Sequence, residues 1–235
     1  MLSVSQLTKQ VSTHSGDLTI LKQISFDLAE GQSTAIVGTS GAGKSTLLSL
    51  MAGLDTPTSG SVVLLDTDIT QLTEDQRAEF RARHVGFVFQ SFHLLSTLTA
   101  LENVALPLEL KTGKGAQQKA QELLEQVGLK DRVDHYPNQM SGGEQQRVAI
   151  ARAFAAEPSI LFADEPTGNL DTETGQHVAD LLFDLNKSKG TSLILVTHDL
   201  KLANRCDRII ELSAGQLKTD TTTQPSQQSP ELADA

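Results

Sequence analysis

The spacing of apolar residues changes along the chain, and each change predicts a different element. Near the N-terminus apolar and polar positions alternate. Leu2-Ser3-Val4-Ser5-Gln6-Leu7 and Leu21-Lys22-Gln23-Ile24-Ser25-Phe26-Asp27-Leu28 have the period of two expected of half-exposed strands. Ser15-Gly16-Asp17 and Glu30-Gly31-Gln32 supply turns, so an antiparallel β region is predicted over residues 2–37, ahead of the first helix. The alternation then gives way to short apolar runs at 33–37, 61–65, 85–89, 159–163, 191–196 and 208–212, which read as strands. Between them lie segments of helical period: 45–52, a helix opened by Thr73 and Gln76 as a capping box and ending near Arg83, 173–188, and Leu200 to Asn204. Strands alternating with helices predict a mainly parallel sheet covered on both faces.

Residues 91–156 break this rhythm. They read as helices at about 100–110, 116–127 and 142–156, with Gly128 stopping the middle one, and predict an inserted helical lobe. An Ala214-Gly215 turn follows the last strand. From about residue 219 the chain is rich in Thr, Gln, Ser, Pro and Asp without periodicity. One domain over 1–218 and a disordered polar tail over 219–235 are expected.

Composition narrows the choice of function. The 235 residues suffice for one large α/β domain, and 38% hydrophobic content supports a packed core. A formal net charge of −10 argues against broad nucleic-acid binding, which rests on Lys and Arg facing phosphates. The single cysteine, Cys206, excludes an intrachain disulfide and reads as a packed small residue. The start of the sequence lacks the pattern of a signal peptide, and no stretch approaches the roughly 20 apolar residues of a membrane span. A soluble protein is expected, attached to a membrane only through a partner.

The chemistry concentrates in a few stretches. Gly38-Thr39-Ser40-Gly41-Ala42-Gly43-Lys44-Ser45 fits G-x-x-x-x-G-K-[ST], a phosphate-binding loop. A Gly-rich turn before an ordinary helix would share the glycines, but here an apolar strand precedes the loop and an amphipathic helix follows it. Glycines let backbone N–H groups turn inward at a phosphate, and the helix N-terminus adds partial positive charge. Lys44 can reach the β- and γ-phosphates of a bound nucleotide, and the Ser45 hydroxyl can ligate Mg²⁺. Ile160-Leu161-Phe162-Ala163 ends in Asp164 and Glu165; beside a phosphate loop, Asp164 suits Mg²⁺ and Glu165 suits polarising an attacking water. Met140-Ser141-Gly142-Gly143-Glu144 opens a helix and forms either a plain N-cap or a second anion site. A second phosphate site in a chain that already has one suggests a nucleotide held between two subunits.

In order and spacing these stretches resemble the ABC-type ATPases, the nucleotide-binding subunits of ABC transporters, to about residue 217. The Walker A loop is Gly38 to Ser45, and Walker B ends in Asp164 and Glu165. Gln90 matches the Q-loop, Ser141-Gly142-Gly143 the signature loop, Asn169-Leu170-Asp171 the D-loop, and His198 the switch histidine. Asp164-Glu165-Pro166-Thr167-Gly168-Asn169-Leu170-Asp171 resembles the lipoprotein-releasing and macrolide-export group, with Phe87 to Phe92 and Arg81-Ala82-Arg83-His84 most like its YbbA-type branch. Met140 and Glu144 depart from the usual Leu and Gln of the signature. The position of the family's adenine-stacking aromatic is Val11, with His14 the nearest flat ring, so modest discrimination between ATP and GTP is expected.

The resemblance implies an α/β fold: a P-loop NTPase (RecA-like) core with an antiparallel β region and an inserted α-helical subdomain. It implies that ATP and Mg²⁺ are the cofactors. Gly38, Thr39, Ser40, Gly41, Ala42, Gly43, Lys44, Ser45 and Thr46 would bind nucleotide, with Ser141, Gly142 and Gly143 binding it in trans. Glu165, His198 and Gln90 would be catalytic, and Ser45, Gln90 and Asp164 would hold the metal. The implied partners are an integral membrane permease subunit and a second copy of the chain in an ATP-sandwich dimer, with no nucleic acid. The implied location is the cytoplasmic face of the bacterial inner membrane, as a peripheral protein. The rivals are a soluble ABC-type ATPase without a membrane partner, and a regulatory module without turnover. Glu165 and His198 argue against the latter. Acidic charge and the lack of a coiled-coil insertion or second cassette argue against the nucleic-acid or ribosome form of the former.

Overall fold

The computed structural model describes residues 1–13, 16–111 and 115–223. Its elements run β1 (Leu2–Thr13), β2 (Gly16–Leu28), β3 (Ser33–Val37), α1 (Lys44–Met51), β4 (Ser59–Leu64), β5 (Thr67–Asp68), α2 (Glu74–His84), β6 (Val85–Phe89), α3 (Ala100–Lys111), α4 (Ala116–Gln126), α5 (Gly142–Ala155), β7 (Ile160–Asp164), α6 (Thr172–Lys189), β8 (Ser192–Val196), α7 (Leu200–Ala203), β9 (Arg208–Ser213) and β10 (Gln216–Thr222). They form a six-stranded sheet in the order β10-β9-β3-β8-β7-β6 and a four-stranded antiparallel sheet in the order β2-β1-β4-β5.

The unbroken apolar runs at 33–37, 85–89, 159–163, 191–196 and 208–212 become parallel strands because both of their faces are covered, whereas the run at 61–65 becomes β4 of the antiparallel sheet, buried on one face only. One face of the large sheet, with Ala35, Val37, Val88, Leu161, Ala163, Leu193 and Leu195, packs against the helices α3 to α6. The other face, with Ile36, Phe162, Ile194, Val196 and Ile210, packs against α1 and the buried side of the small sheet. The antiparallel region differs from the sequence expectation in its membership. β3 leaves it for the parallel sheet, and β4 and β5, which follow the phosphate loop, complete it. β1 and β2 are also longer than their alternation suggested, because register shifts interrupt the pairing between Val4 and Leu7 and between Leu7 and Lys9. Gln6 and Gln23 take positive φ at these irregularities. His14 and Ser15, part of the expected first turn, lie outside the described residues.

In the helical lobe α3 and α4 pack with α5, and α5 continues onto β6 and α6, so this helix, with a smaller contact of α3 on α2, ties the lobe to the core. Gly128, at φ +70, follows α4 as expected. α2 starts with the Thr73–Gln76 capping box. The C-terminal end differs. β10 pairs antiparallel with β9 through Thr222↔Arg208, so ordered structure continues past residue 218, where the domain was expected to end. Residues 224–235 of the expected tail lie outside the described residues.

Candidate functional site

The parallel strands deliver their C-terminal ends to one edge of the sheet. Asp164 is in register with Phe89 on one side and Val196 on the other, and Val196 with Ile36 of β3. The residues just beyond these ends, Gly38, Gln90, Glu165 and His198, therefore emerge along one row, where open α/β sheets hold their ligands.

The loop between β3 and α1 has the shape its glycines permit. Gly43 caps α1 at φ +98, a left-handed conformation unfavourable to other residues. A Cβ on Gly38 would lie 2.2 Å from the Leu212 carbonyl oxygen. α1 has no side-chain cap and no acidic residue in its first turn, so its positive end is unopposed. Lys44 folds back across the loop, its Nζ donating to the carbonyls of Gly38 at 2.9 Å and Thr39 at 3.1 Å. Ala42 donates its N–H to Thr39 at 3.2 Å, and its own carbonyl accepts from Gly215, which pins the back of the loop to the β9–β10 turn.

A cleft of about 590 Å³ opens over this loop, lined by Gly38, Ser40, Gly41, Gly43, Lys44, Ser45 and Thr46, and by Asp164, Glu165, Val196 and His198 from the strand ends. Burial pushes the Asp164 carboxyl above its usual value; a Ser45 hydrogen bond opposes this, neighbouring Glu165 adds to it, and Lys44 opposes it again. Glu165 sits at φ +47 with its N–H bonded to the Val196 carbonyl at 2.9 Å. Its Oε1 is 2.9 Å from His198 Nδ1, and its Oε2 accepts from the Thr197 hydroxyl at 3.5 Å. The Glu165 side chain is 18% exposed and that of His198 74%, so a fixed carboxylate meets a solvent-facing imidazole.

The other expected residues stand apart from the cleft lining. Gln90, just past β6, is paired with Asn169. Ser141 caps α5: its hydroxyl accepts from the Glu144 N–H at 3.3 Å, while its own N–H and hydroxyl donate to Glu144 Oε2 at 2.8 and 2.9 Å. Arg132 Nε holds the other oxygen of Glu144 at 3.1 Å. Gly142 and Gly143 are closely packed. A Cβ on Gly142 would meet Leu170 at 3.4 Å and Phe92 at 3.6 Å, and one on Gly143 would lie 2.3 Å from Thr174 Cγ2. Within one chain Ser141, Gly142 and Gly143 do not line the phosphate-loop cleft.

The apolar wall of the cleft was not anticipated. It is Leu18 and Ile20 of β2, not Val11, which pairs with Leu18 from β1. The available signal was an apolar residue at the open start of a strand, where Leu18 remains 56% exposed. His14, the alternative ring, lies outside the described residues. Cys206 is buried and plays no part here, its thiol pushed up to about 12 by burial.

Comparison with known proteins carries the argument past geometry. The family model for the ABC transporter matches residues 21–168. The chain is 53% identical over 222 residues to the uncharacterized ABC transporter ATP-binding protein YbbA of Escherichia coli K12, covering 94% of this chain and 97% of that one. It is 48% identical over 219 residues to the lipoprotein-releasing system ATP-binding protein LolD of Legionella pneumophila strain Paris, covering 92% of this chain and 96% of that one. Among solved structures, a dimeric post-hydrolysis state of the ATP-binding cassette MJ0796 bound to ADP and Pi superposes with a TM-score of 0.89 at 39% identity, covering 95% of this chain and 99% of that one. A phosphate loop facing two strand-end carboxylates, on a fold shared along nearly its whole length, thus has one family to which it answers: this chain belongs to the ABC transporter ATP-binding proteins and is an ABC-type ATPase subunit.

Proposed function

We propose that two copies of this chain close head to tail around two ATP molecules and that hydrolysis reopens them, driving an integral membrane permease partner. One observation carries the reading. The phosphate loop and the strand-end residues share a cleft, whereas Ser141, Gly142 and Gly143 form a preshaped surface elsewhere on the same chain. A second copy brings that surface to the mouth of the first copy's cleft. The dimeric cassette among the similar structures supports such a pairing.

Each residue then has a task. The N–H groups of Gly38 to Thr46 and the ammonium of Lys44 hold the β- and γ-phosphates. Lys44 exchanges its carbonyl contacts within the loop for phosphate oxygens. Glu165, held rigidly by its backbone bond to Val196, orients the attacking water and accepts its proton. His198 bridges Glu165 and the γ-phosphate. Ser141 of the second copy supplies a hydroxyl donor to that phosphate. Ser45 and Asp164, which line the cleft, offer hydroxyl and carboxylate oxygens, hard donors suited to Mg²⁺ beside phosphate, and Gln90, outside that lining at the neighbouring strand end, would add an amide oxygen from its side; the buried Asp164 carboxyl is one a cation would relieve. When bound, Mg²⁺ would neutralise negative charge on the phosphates. Base recognition falls to Leu18 and Ile20, an aliphatic wall without a π face, which supports modest selectivity between ATP and GTP.

The likeness to a lipoprotein-releasing ATPase supports a partner in the bacterial inner membrane, with this chain peripheral on the cytoplasmic face and working in export, lipoprotein release or mechanical transmission. Among the described residues no helix is long and apolar enough to cross a membrane, so attachment runs through the partner. No nucleic acid is required. Glu165→Gln is the test. Hydrolysis should fall by about 10²-fold or more, the scale for loss of a general base. ATP should then convert monomer to dimer in light scattering, ADP should not, and adding Ser141→Arg should prevent the dimer. A double variant that still closes in ATP would put Ser141 away from the nucleotide and end the head-to-tail reading.

A further inference from the structure

We propose that Asn169 is a positioning residue that fixes which end of the Gln90 amide faces the metal. The proposal rests on the reading above, in which Gln90 offers an oxygen to Mg²⁺. A glutamine amide has a donor end and an acceptor end of nearly the same shape. Only the acceptor end serves a cation. A freely rotating Gln90 would present the wrong end for part of the time.

Asn169 removes that freedom with two bonds. Its Oδ1 accepts from Gln90 Nε2 at 3.0 Å, and its Nδ2 donates to the Gln90 backbone carbonyl at 3.0 Å. The side chain and the main chain of Gln90 are both tied. With Nε2 engaged, Oε1 is the end left for a ligand. A flipped amide would set Oε1 against the Asn169 Oδ1, acceptor facing acceptor. The approach is close: a Cβ on Gly168 would lie 2.8 Å from Gln90 Nε2 and 3.1 Å from its Cδ. Gly168 is therefore the residue that lets the Asn169 turn reach Gln90.

The turn carrying Asn169 is itself firm. Gly168 donates its N–H to the Glu165 carbonyl at 3.0 Å, and Leu170 donates to Thr167 at 3.1 Å. The fully buried Gln146 of α5 donates to the Pro166 carbonyl at 2.6 Å. Asp171, two residues on, is occupied in capping α6 through the Thr174 N–H at 3.0 Å. Capping thus explains Asp171 and leaves Asn169 to Gln90. The clamp also fixes Gln90 relative to Glu165, the group that orients water.

The test reads metal use rather than turnover. A fluorescent ATP analogue is titrated against the full chain with excess Mg²⁺ and with EDTA, and the ratio of the two dissociation constants is the Mg²⁺ gain. Asn169→Ala should cut that gain about tenfold, the weight of one hydrogen bond to a charged group, and leave the EDTA affinity unchanged. Gln90→Ala should cut it similarly, and the double variant should fall no further, since one residue acts through the other. Asn169→Asp keeps an acceptor for Nε2 but replaces the donor to the Gln90 carbonyl with a second acceptor, and should retain part of the gain. The clamp is overturned if Asn169→Ala keeps the wild-type gain, if the two losses multiply, or if Asn169→Asp behaves like Asn169→Ala. If Gln90→Ala itself keeps the gain, Gln90 does not face the metal and the underlying site assignment fails with the clamp. Loss at Gln90 without loss at Asn169 fells the clamp alone.

Discussion

Two glycine-rich loops each open a helix in this chain, and they do so by opposite means. The loop before α1 ends at Gly43, in a left-handed conformation, with no side-chain cap and no acid in the first turn. The loop before α5 ends at Ser141, in an extended conformation, inside a capping box with Glu144 in the first turn. The first leaves backbone donors and a helix dipole unopposed, a site completed by an anion from solution. The second carries its own anion, the Glu144 carboxylate, tied to Ser141 and Arg132. It is shaped before any phosphate arrives. On the function proposed above, the first loop receives the phosphate and the second is presented to it.

The largest effect expected from breaking this contrast is at Lys44. Lys44→Ala removes the cation that folds over the first loop but only its contacts to the Gly38 and Thr39 carbonyls. Phosphate release should fall by about 10²-fold or more, the scale of losing one donor to developing charge. The melting temperature without nucleotide should change little. Wild-type turnover in this variant would mean that the first loop does not hold the phosphates.

The glycines sharpen the contrast at intermediate cost. Gly43 needs a conformation, since φ is +98, and also space, since a Cβ would lie 2.8 Å from Leu21 Cδ2. Gly143 needs only space, with Thr174 Cγ2 2.3 Å from its would-be Cβ. Gly43→Ala should cost about 2 kcal/mol by urea unfolding, and trimming Leu21 should not restore it, because the backbone strain stays. Gly143→Ala should cost about 1 kcal/mol, and Thr174→Ser should recover most of it by giving back the room. Equal rescue at both sites would erase the distinction.

What the sequence made legible follows the range of the forces involved. The phosphate loop, the Thr73–Gln76 cap and the strand ending in Asp164 and Glu165 are local patterns, and the structure places them as read. The Ser141 stretch was read as either a cap or an anion site, and within one chain it is a cap. β10 as a whole goes beyond the expectation, which placed the last strand at 208–212, because Gln216 to Thr222 carry almost no apolar alternation. They are a strand only through pairing with β9, helped by the Arg208–Asp220 ion pair at 2.5 Å. The Leu18 and Ile20 wall depends on how β2 crosses the phosphate loop. The Gln90–Asn169 pair joins residues 79 apart, and no period or spacing announces it. Long-range contacts are where this chain keeps what its motifs do not show.

The smallest effect tests whether the second loop's own anion acts as an anion. Glu144→Gln keeps the capping-box acceptor for Ser141, since Gln also serves at that position, while it removes the charge and turns the oxygen that meets Arg132 Nε into an amide donor. The variant should lose about 0.5 kcal/mol at neutral pH, the weight of a charge at a helix N-terminus. The pH dependence gives the sign. The Ser141 N–H holds the Glu144 carboxyl below its ordinary value of 4.5; partial burial works against this, and the Ser141 hydroxyl and Arg132 reinforce it. The unfolded chain therefore takes up this proton at higher pH than the folded one. The stabilisation is fully present above the ordinary value and is lost as pH falls through the lower, folded one. Urea unfolding of both proteins along a falling pH series should show the gap closing below about 4.5. Equal stability of the two proteins across the whole pH series would mean that Glu144 acts by shape alone. The α5 terminus would then be as electrostatically open as that of α1, and the two loops would differ only in geometry.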